Sequence, residues 1–318
     1  MLMFTLGFFF TRMTLAPHKK CAHAQEEGSP MTIERLMESD LANINALKPD
    51  TWNDLVPMHA LYLRSPFCHP MKVMDGSMMV GIGTAICLGE NGWLAHIIVG
   101  EAHRSKGIGR HLVTSLMSFL MEALGCTSVS LLASDMGFPL YVKLGFAVQT
   151  EYVTLSALRE QGGSDSANGM ARAERDRSSA PSSPLYEGRI ASLAGHDLGR
   201  VFEIDRWVCG EDRSRVLARF AADALVYSRD DSRVDGAYFP GLGDGLVVAA
   251  DEGAGLALMR RALSEKGKIT VPLENEVARG FLERSACAET RRMKRMIWGE
   301  SFAWNPLGLY NRIGGNLG

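Results

Sequence analysis

Between residues 93 and 124 the chain passes from an apolar segment through a glycine-containing polar loop into an amphipathic helix, and no other stretch restricts the fold as much. The apolar segment, Trp93 to Val99, is typical of a buried strand. The predicted helix has apolar residues at spacings of three and four, namely Leu112, Val113, Leu116, Met117, Phe119, Leu120 and Leu124. A strand, a loop and a helix in this order direct main-chain N–H groups and the positive end of the helix dipole at one point, which suits a phosphate group.

The loop before this helix has the residue types expected of an anion site. Gly107 and Gly109 have no side chain that would block the approach of an anion to the main chain. Arg104, Lys106 and Arg110 add charged hydrogen-bond donors around the same point. The loop lacks both the Gly-Lys-Ser/Thr ending of a nucleotide-triphosphate loop and the G-x-G-x-x-G pattern. Taken alone, it is also compatible with a tight turn that caps a helix.

Two motifs together identify a family. V-x-x-x-x-R-x-x-G-x-G begins at Val99, and a Tyr-x-x-x-Gly-Phe element begins at Tyr141. With both motifs the chain resembles the GNAT superfamily of acetyl-CoA-dependent N-acetyltransferases, and the combination is specific where either half alone is not. The resemblance implies an α/β fold in which a mixed, mostly antiparallel sheet is flanked by helices.

The sequence pattern predicts the other elements of the chain. Ser39-Asp40 is expected to cap a helix through Leu47, and Thr51 is expected to cap a second helix from Trp52 to Leu63. Asp75-Gly76 between two strand-like runs predicts a hairpin. In the second half, helices are predicted after Asp197 and after the cap Asn275. Strands are predicted over Phe146–Leu155, Arg189–Leu193, Ala224–Ser228, Gly236–Phe239, Gly245–Ala249, Ile269–Val271 and Glu289–Trp298.

The resemblance also implies which residues bind the acetyl-CoA donor. The diphosphate is expected on the main-chain N–H groups of the loop, which comprises Arg104, Ser105, Lys106, Gly107, Ile108, Gly109 and Arg110. Ser105 stands where glycine is common in the family, but it keeps its N–H. The pantetheine arm is expected along the backbone of Ile97, Ile98 and Val99, where one amide polarises the thioester carbonyl. The side chains of these three residues are equally typical of a core.

The acid and base of the reaction are predicted less directly. Tyr141 is the candidate general acid, since a phenol with an ordinary pKa of about 10 stays protonated at neutral pH; a packed core tyrosine is the alternative. A position that carries a carboxylate in some relatives is Trp93 here. His96 is the nearest titratable residue on the strand and is the tentative base, although a core histidine is an alternative. Glu101, Asp135 and a chain of water molecules remain open.

The second half of the chain repeats the element order of the first more weakly and without the loop. At the corresponding place stands Asp251-Glu252-Gly253-Ala254-Gly255, whose carboxylates would repel a pyrophosphate. This half therefore resembles the non-catalytic C-terminal domain of a tandem-GNAT subgroup. We predict a disordered extension over 1–30, a catalytic domain over 31–160, a flexible linker over 161–184 and a GNAT-like domain over 185–318.

Composition excludes several other classes. A net charge of −2 gives no electrostatic case for nucleic acid or for an anionic membrane as a partner. The apolar run at the N-terminus is far shorter than the roughly 20 residues that span a bilayer. Six cysteines without C-x-x-C spacing indicate reduced thiols in a cytoplasmic protein. Clusters with metal-ligand spacing are absent from the sequence, so no metal is predicted.

These observations predict an acyltransferase that moves an acetyl group from acetyl-CoA to a primary amine of a small molecule by direct attack. The C-terminal domain would close the acceptor pocket or form the interface of a homodimer. A CoA-binding sensor or catalytically inactive scaffold is the first alternative. An interaction module, in which both halves serve assembly, is the second.

Overall fold

In the computed structural model, residues 31–49, 52, 54–158, 188–194, 196–229 and 233–317 are described. They form two compact units that divide between Leu131 and Leu132. The predicted extension over 1–30 and the predicted linker over 161–184 lie outside the described residues. The proposed domain boundaries near residues 160 and 185 stay a prediction.

The first unit contains a sheet with the order β1-β2-β3-β4-β5. Its strands are β1 (Thr32–Arg35), β2 (Cys68–Asp75), β3 (Met78–Cys87), β4 (Asn91–Val99) and β5 (Ser128–Ala133), which begins in this unit. Neighbouring strands are antiparallel except for β4 and β5, which run parallel. The predicted hairpin between β2 and β3 is confirmed, since Asp75 pairs with Met78 and Gly76 has φ +59°. The sheet is therefore mixed and mostly antiparallel.

The helices of this unit are α1 (Val56–Leu63) and α2 (Ile108–Ser118), and a single π turn continues α2 over Phe119–Ala123. The helix predicted from Ser39 to Leu47 is instead two short 3₁₀ turns, Glu38–Asp40 and Ile44–Leu47. The Asp40 carboxylate accepts a hydrogen bond from the Met37 amide at 2.7 Å and pairs with Lys72 of β2 at 2.8 Å. These contacts tie the first turn to the sheet.

Helix α1 also begins later than predicted. The sequence pattern places its start at Trp52, whereas α1 begins at Val56 with Pro57 in its first turn. Proline fits there because its missing N–H would have no helical partner in any case. Thr51, the predicted cap, lies outside the described residues.

The second unit contains two sheets. One has the order β12-β6-β11, and the other has the order β13-β10-β9-β8-β7. The strands are β6 (Ala147–Ala157), β7 (Arg189–Ser192), β8 (Leu225–Ser228), β9 (Val234–Phe239), β10 (Leu246–Ala249), β11 (Lys268–Pro272), β12 (Cys287–Gly299) and β13 (Leu309–Asn311). The pattern predicts all of these except β13.

The helices of the second unit are α3 (Phe138–Lys143), α4 (Leu198–Cys209), α5 (Ser214–Arg219), α6 (Glu252–Lys266) and α7 (Glu276–Arg284). Asp197 and Asn275 cap α4 and α7 as predicted, each accepting a main-chain N–H through its side chain. Leu258 of α6 and Leu282 of α7 are fully buried in one core cluster with Ile269 of β11. The predicted α/β architecture with GNAT-like sheets and helices is confirmed. Within the described residues, no helix combines the length and the hydrophobicity needed to cross a bilayer.

Candidate functional site

The loop that joins β4 to α2 has the backbone of an anion cradle. Gly107 forms the N-cap of α2 with φ +83°, and a Cβ built on it would meet no atom within 4 Å. Ser105 also has a positive φ, +61°. Glycine is common in the family at this position, and the backbone shows why, because an L side chain adopts the left-handed region only at some cost. The space beside Gly107 at the start of the helix is therefore open.

The main-chain amides of residues 105 to 110 lie at this end of α2. Within the described part of the chain, none of these amides donates a hydrogen bond to a protein acceptor. The first N–H groups of a helix have no intrahelical partner, so α2 leaves several donors for a ligand. Lys106 and Arg110 are exposed beside them, whereas Ile108 is 3% exposed and anchors the helix start in the core. The Arg104 Nε donates to the Val99 carbonyl at 3.2 Å and so ties the loop to the end of β4.

The strand before the loop is bent by a β-bulge. β3 and β4 pair at Ile82 with Ile98 and at Thr84 with Ala95, so two residues of β4, His96 and Ile97, stand opposite one residue of β3. His96 has φ +49° at this bulge. The pairs between β4 and β5 run only from Asn91 to Leu94 on β4. The second half of β4, which holds the three predicted pantetheine-binding residues, thus continues beyond its last pair with β5.

A glycine of β3 makes room for the bulge. A Cβ on Gly83 would lie 2.8 Å from Ile97 Cδ1 and 2.9 Å from Leu116 Cδ1. Ile97 therefore packs over Gly83 and against α2, and a larger residue at position 83 would push the bulge away from the helix. A glycine inside an otherwise apolar strand is the sequence signal that could have indicated this close approach.

His96 lies in a cluster of three rings, the His–Tyr cluster, with His59 and Tyr62 of α1. The Tyr62 hydroxyl and His96 Nδ1 are hydrogen-bonded at 2.9 Å. The centroid of the His59 ring lies 5.3 Å from that of His96 and 5.4 Å from that of Tyr62, both with edge-on geometry. The sequence motifs do not indicate His59 and Tyr62, although their i, i+3 spacing places them on one face of a helix.

Both histidines of the His–Tyr cluster are held neutral. Burial lowers the pKa of His96 to about 4, and the nearby His59 contributes further. Burial also lowers the pKa of His59. The His59 Nδ1 donates to the Leu55 carbonyl at 2.9 Å, so its Nε2 is an acceptor, and this buried atom has no hydrogen-bond partner among the described residues. At neutral pH the two rings are therefore uncharged, and the His59 Nε2 can accept a hydrogen bond.

The other residues weighed as bases take different positions. The Trp93 side chain is fully buried, so it serves the core of the first unit. Glu101 is exposed in a 3₁₀ turn of the loop, and Asp135 is exposed after β5. In the described part of the chain, no group of three or more His, Cys, Asp or Glu residues is placed to hold a metal ion.

Tyr141 lies on α3, in the second unit. Its side chain is 7% exposed and packs edge-on against Phe146, with ring centroids 5.8 Å apart. Burial raises the pKa of the phenol to about 12, so the group is protonated at neutral pH. Its hydroxyl donates to no acceptor in the ranges that the structure describes. The structure thus brings the loop, β4 and His96 together in the first unit, and it places Tyr141 in the other.

The second unit has its own strand–loop–helix segment, formed by β10 and α6. Here the N-cap is Asp251, whose carboxylate accepts a hydrogen bond from the Ala254 amide at 3.1 Å. A Cβ on Gly255 would collide with the ring of Tyr310, which covers the start of α6. This segment therefore has a carboxylate and an aromatic ring where the first unit has open space.

Comparisons with known proteins agree with this geometry. Residues 35–146 match the sequence profile of the Acetyltransferase (GNAT) family. No curated protein matches the chain. Among solved structures, a protein from Pyrococcus horikoshii with a provisional acetyltransferase assignment gives a TM-score of 0.71 at 17% identity, over 95% of this chain and 100% of its own.

Two further solved structures have the same fold. A GCN5-related N-acetyltransferase from Sphaerobacter thermophilus gives a TM-score of 0.58 at 13% identity, over 86% of this chain and 97% of its own. A glucosamine N-acetyltransferase region in a fungal multi-domain GH3 β-N-acetylglucosaminidase gives 0.60 at 14% identity, over 87% of this chain and 39% of its own. Residues 35–146 therefore carry the signature of the Acetyltransferase (GNAT) family, and most of the chain has the fold of these solved proteins.

Proposed function

We propose that this protein is an N-acetyltransferase that moves an acetyl group from acetyl-CoA to a primary amine of a small molecule. The observation that carries the proposal is the set of free amides over residues 105–110 at the start of α2, where a Cβ on Gly107 would meet no atom within 4 Å. Such an arrangement suits a diphosphate, and exposed Lys106 and Arg110 add positive charge beside it. The match of this segment to the family profile supports the same ligand.

The donor fits the rest of the segment as well. β4 extends beyond its last pair with β5, so the backbone of Ile97, Ile98 and Val99 is proposed to bind the pantetheine arm as an added strand would bind. The bulge at His96 and Ile97 turns the backbone at this point. An amide at the bulge is proposed to donate to the thioester carbonyl and to stabilise the oxyanion as the amine attacks.

The His–Tyr cluster is the proposed place where the attacking amine loses its proton. With its Nδ1–H donating to the Tyr62 hydroxyl oxygen, neutral His96 has a free lone pair on Nε2 that can accept a hydrogen bond from the amine. With a pKa of about 4 it is too weak a base to deprotonate an alkylammonium ion outright, so the amine must arrive neutral. We propose that His96 accepts the proton as the C–N bond forms, and that Tyr62 fixes the orientation of its ring.

Tyr141 is the proposed hydrogen-bond donor to the thiolate that leaves when the C–S bond breaks. Its protonated hydroxyl has no acceptor within the described residues, so it can serve a ligand. In the second unit, the carboxylate and the ring at the start of α6 leave no comparable anion site. We propose that this unit does not catalyse transfer and that it closes the acceptor pocket or forms the interface of a homodimer.

A direct test combines calorimetry with an assay of free thiol. Titration with acetyl-CoA should give one binding site per chain, and a panel of polyamines, amino acids and aminoglycosides should release CoA from at least one mixture. A Tyr141→Phe variant should lose about 100-fold in kcat and keep its affinity for the donor. Equal turnover in both proteins would remove Tyr141 from the proposed role.

The weak basicity of His96 favours one alternative, a sensor that binds CoA without transferring the acetyl group. Donor binding in calorimetry with no thiol released across the whole panel would support it. Absence of donor binding would contradict both the enzyme and the sensor.

A further inference from the structure

Two cysteines of the first unit lie side by side at the end of β4 remote from the loop. Cys87 ends β3, and Cys126 lies just before β5. Their Sγ atoms are 3.6 Å apart although the residues are 39 positions apart in the chain. Both thiols also approach the Gly89 carbonyl, at 3.5 and 3.7 Å. The fold therefore brings together a thiol pair that nothing in the sequence spacing indicates.

We infer that Cys87 and Cys126 form a reversible disulfide when the protein meets a peroxide. A disulfide has an S–S bond of about 2.05 Å, so the two sulfur atoms must approach each other by about 1.6 Å. The turns next to them can absorb this movement. Gly89 and Gly125 have φ +107° and φ +73°, and a Cβ on either would meet no atom within 4 Å.

The two thiols differ in accessibility, and this difference assigns their roles. Cys87 is half-buried, whereas Cys126 is 5% exposed. The hydrogen bond to Cys87 and burial both raise the pKa of the Cys126 thiol, so Cys126 stays protonated until Cys87 has reacted. Cys87 is therefore the thiol that meets the oxidant, and Cys126 is the one that completes the bond.

The chemistry balances in two steps. The Cys87 thiol is oxidised by hydrogen peroxide to a sulfenic acid, and one water molecule is released. The Cys126 sulfur then attacks the Cys87 sulfur, the S–O bond breaks, and the hydroxyl leaves as a second water molecule with the Cys126 proton. Two electrons pass from the thiol pair to the peroxide. A dithiol reductant reverses the change by thiol–disulfide exchange.

The bond would link the end of β3 to the start of β5 across the first residues of β4. Asn91 and Gly92 of β4 pair with Ser128 and Val129 of β5, and Cys87 pairs with Gly92. A cross-link here restricts the unfolded chain and should raise the thermal midpoint of unfolding. The free amides over residues 105–110 lie beyond the opposite end of β4, so donor binding should not change.

The test treats the full chain with hydrogen peroxide, blocks the remaining thiols under denaturing conditions and maps the peptides by mass spectrometry. We expect one cross-linked peptide pair, Cys87 with Cys126, which disappears after dithiothreitol, together with a raised thermal midpoint. Cys126→Ser should give no cross-link and no rise. Cys68→Ser, which changes another buried cysteine, should behave like the unaltered chain.

Three outcomes would overturn the inference: retention of both thiols after peroxide, oxidation of Cys87 to a sulfinic acid in the unaltered chain, or a cross-link between other cysteines. If Cys126→Ser does not fold, Cys87→Ser provides the same comparison, because Cys87 is half-buried at the end of its strand. The result is independent of the proposed transferase activity, since it depends on no donor and no amine.

Discussion

The strand–loop–helix segments of the two units differ in how the strand before the loop is paired. In the first unit, β4 continues past its last pair with β5. In the second unit, β10 pairs along one edge with β13, through Val247 with Asn311 and Val248 with Leu309. The Thr270 amide of β11 donates to the Asn311 side chain at 2.8 Å. The chain's own C-terminal strand therefore lies between β10 and β11, which occupy the places of β4 and β5.

The helices that follow these strands, α2 and α6, also differ at their first residues. Gly107 leaves open space before α2, whereas Asp251 caps α6 with its carboxylate. Tyr310 of β13 covers Gly255 in the first turn of α6. The same order of elements thus gives an open anion cradle in one unit and a filled cleft in the other. Element order alone therefore does not predict a donor site; we propose that the N-cap residue and the occupant of the strand edge decide whether a diphosphate can bind.

Removal of the ring that fills the second cleft should have the largest effect on stability. Tyr310 is 3% exposed, and replacing a buried aromatic side chain with alanine costs about 3–5 kcal/mol. Tyr310→Ala should therefore lower the urea midpoint of unfolding markedly, while Tyr310→Phe, which keeps the ring, should lower it less. If Tyr310→Ala has the same urea midpoint as the unaltered chain, then the Tyr310 ring does not stabilise the second unit.

Tyr310→Ala also tests whether Asp251 or Tyr310 keeps a diphosphate out of the second unit. If the carboxylate of Asp251 excludes a diphosphate even without the ring, Tyr310→Ala should still bind one acetyl-CoA per chain by calorimetry. Two sites per chain would mean that the ring alone closes the second cleft.

The second prediction concerns an aspartate at the N-cap of α2, the position that Asp251 occupies in α6. Gly107→Asp should weaken acetyl-CoA binding on the order of 100-fold, because the new carboxylate repels the diphosphate and competes for the free amides. The measurement is isothermal calorimetry with acetyl-CoA at constant salt.

Gly125→Asp provides the matched control for this change. Gly125 also has a positive φ, +73°, with no atom within 4 Å of a built Cβ, and it lies outside the loop. Both variants should lose similar stability, since both put aspartate in the left-handed region. Equal donor affinity in the two variants would contradict a diphosphate at Gly107.

The sequence predicted the parts of the fold that depend on local patterns. The apolar period of α2, the hairpin at Gly76 and the cap at Asn275 are short-range signals, and the structure confirms them. β13 was missed because Leu309–Asn311 is only three residues long and is held by distant strands. Local pattern cannot indicate such a strand, since its hydrogen bonds come from residues far away in the chain.

The candidate site was predictable to a similar degree. The loop residues follow from a motif, whereas the His–Tyr cluster depends on the bulge at His96 and on the late start of α1 at Val56. A bulge changes which face of the strand a side chain occupies, so alternation along β4 cannot place His96 beside Tyr62. The contact between them is a property of the assembled unit.

The smallest predicted effect is the contribution of the His–Tyr cluster to the pH dependence of the free energy of unfolding. The pKa of His96 is about 4 in the folded chain and about 6.5 when the chain is unfolded. Between these values the unfolded chain binds more protons than the folded one, so the free energy of unfolding falls as the pH drops from 6.5 to 4. His96 is partly exposed, so we expect it to contribute about 1–2 kcal/mol of this fall, less than the full shift implies.

The experiment compares urea unfolding of the unaltered chain, His96→Gln and His196→Gln at several pH values across this window. His96→Gln should flatten the profile only in part, because burial also lowers the pKa of His59 in the same cluster. His196→Gln, which changes a histidine of the second unit, should leave the profile as it is. An unchanged slope in His96→Gln would mean that the His96 ring titrates as it does in the unfolded chain, which would contradict the burial that lowers its pKa in the His–Tyr cluster.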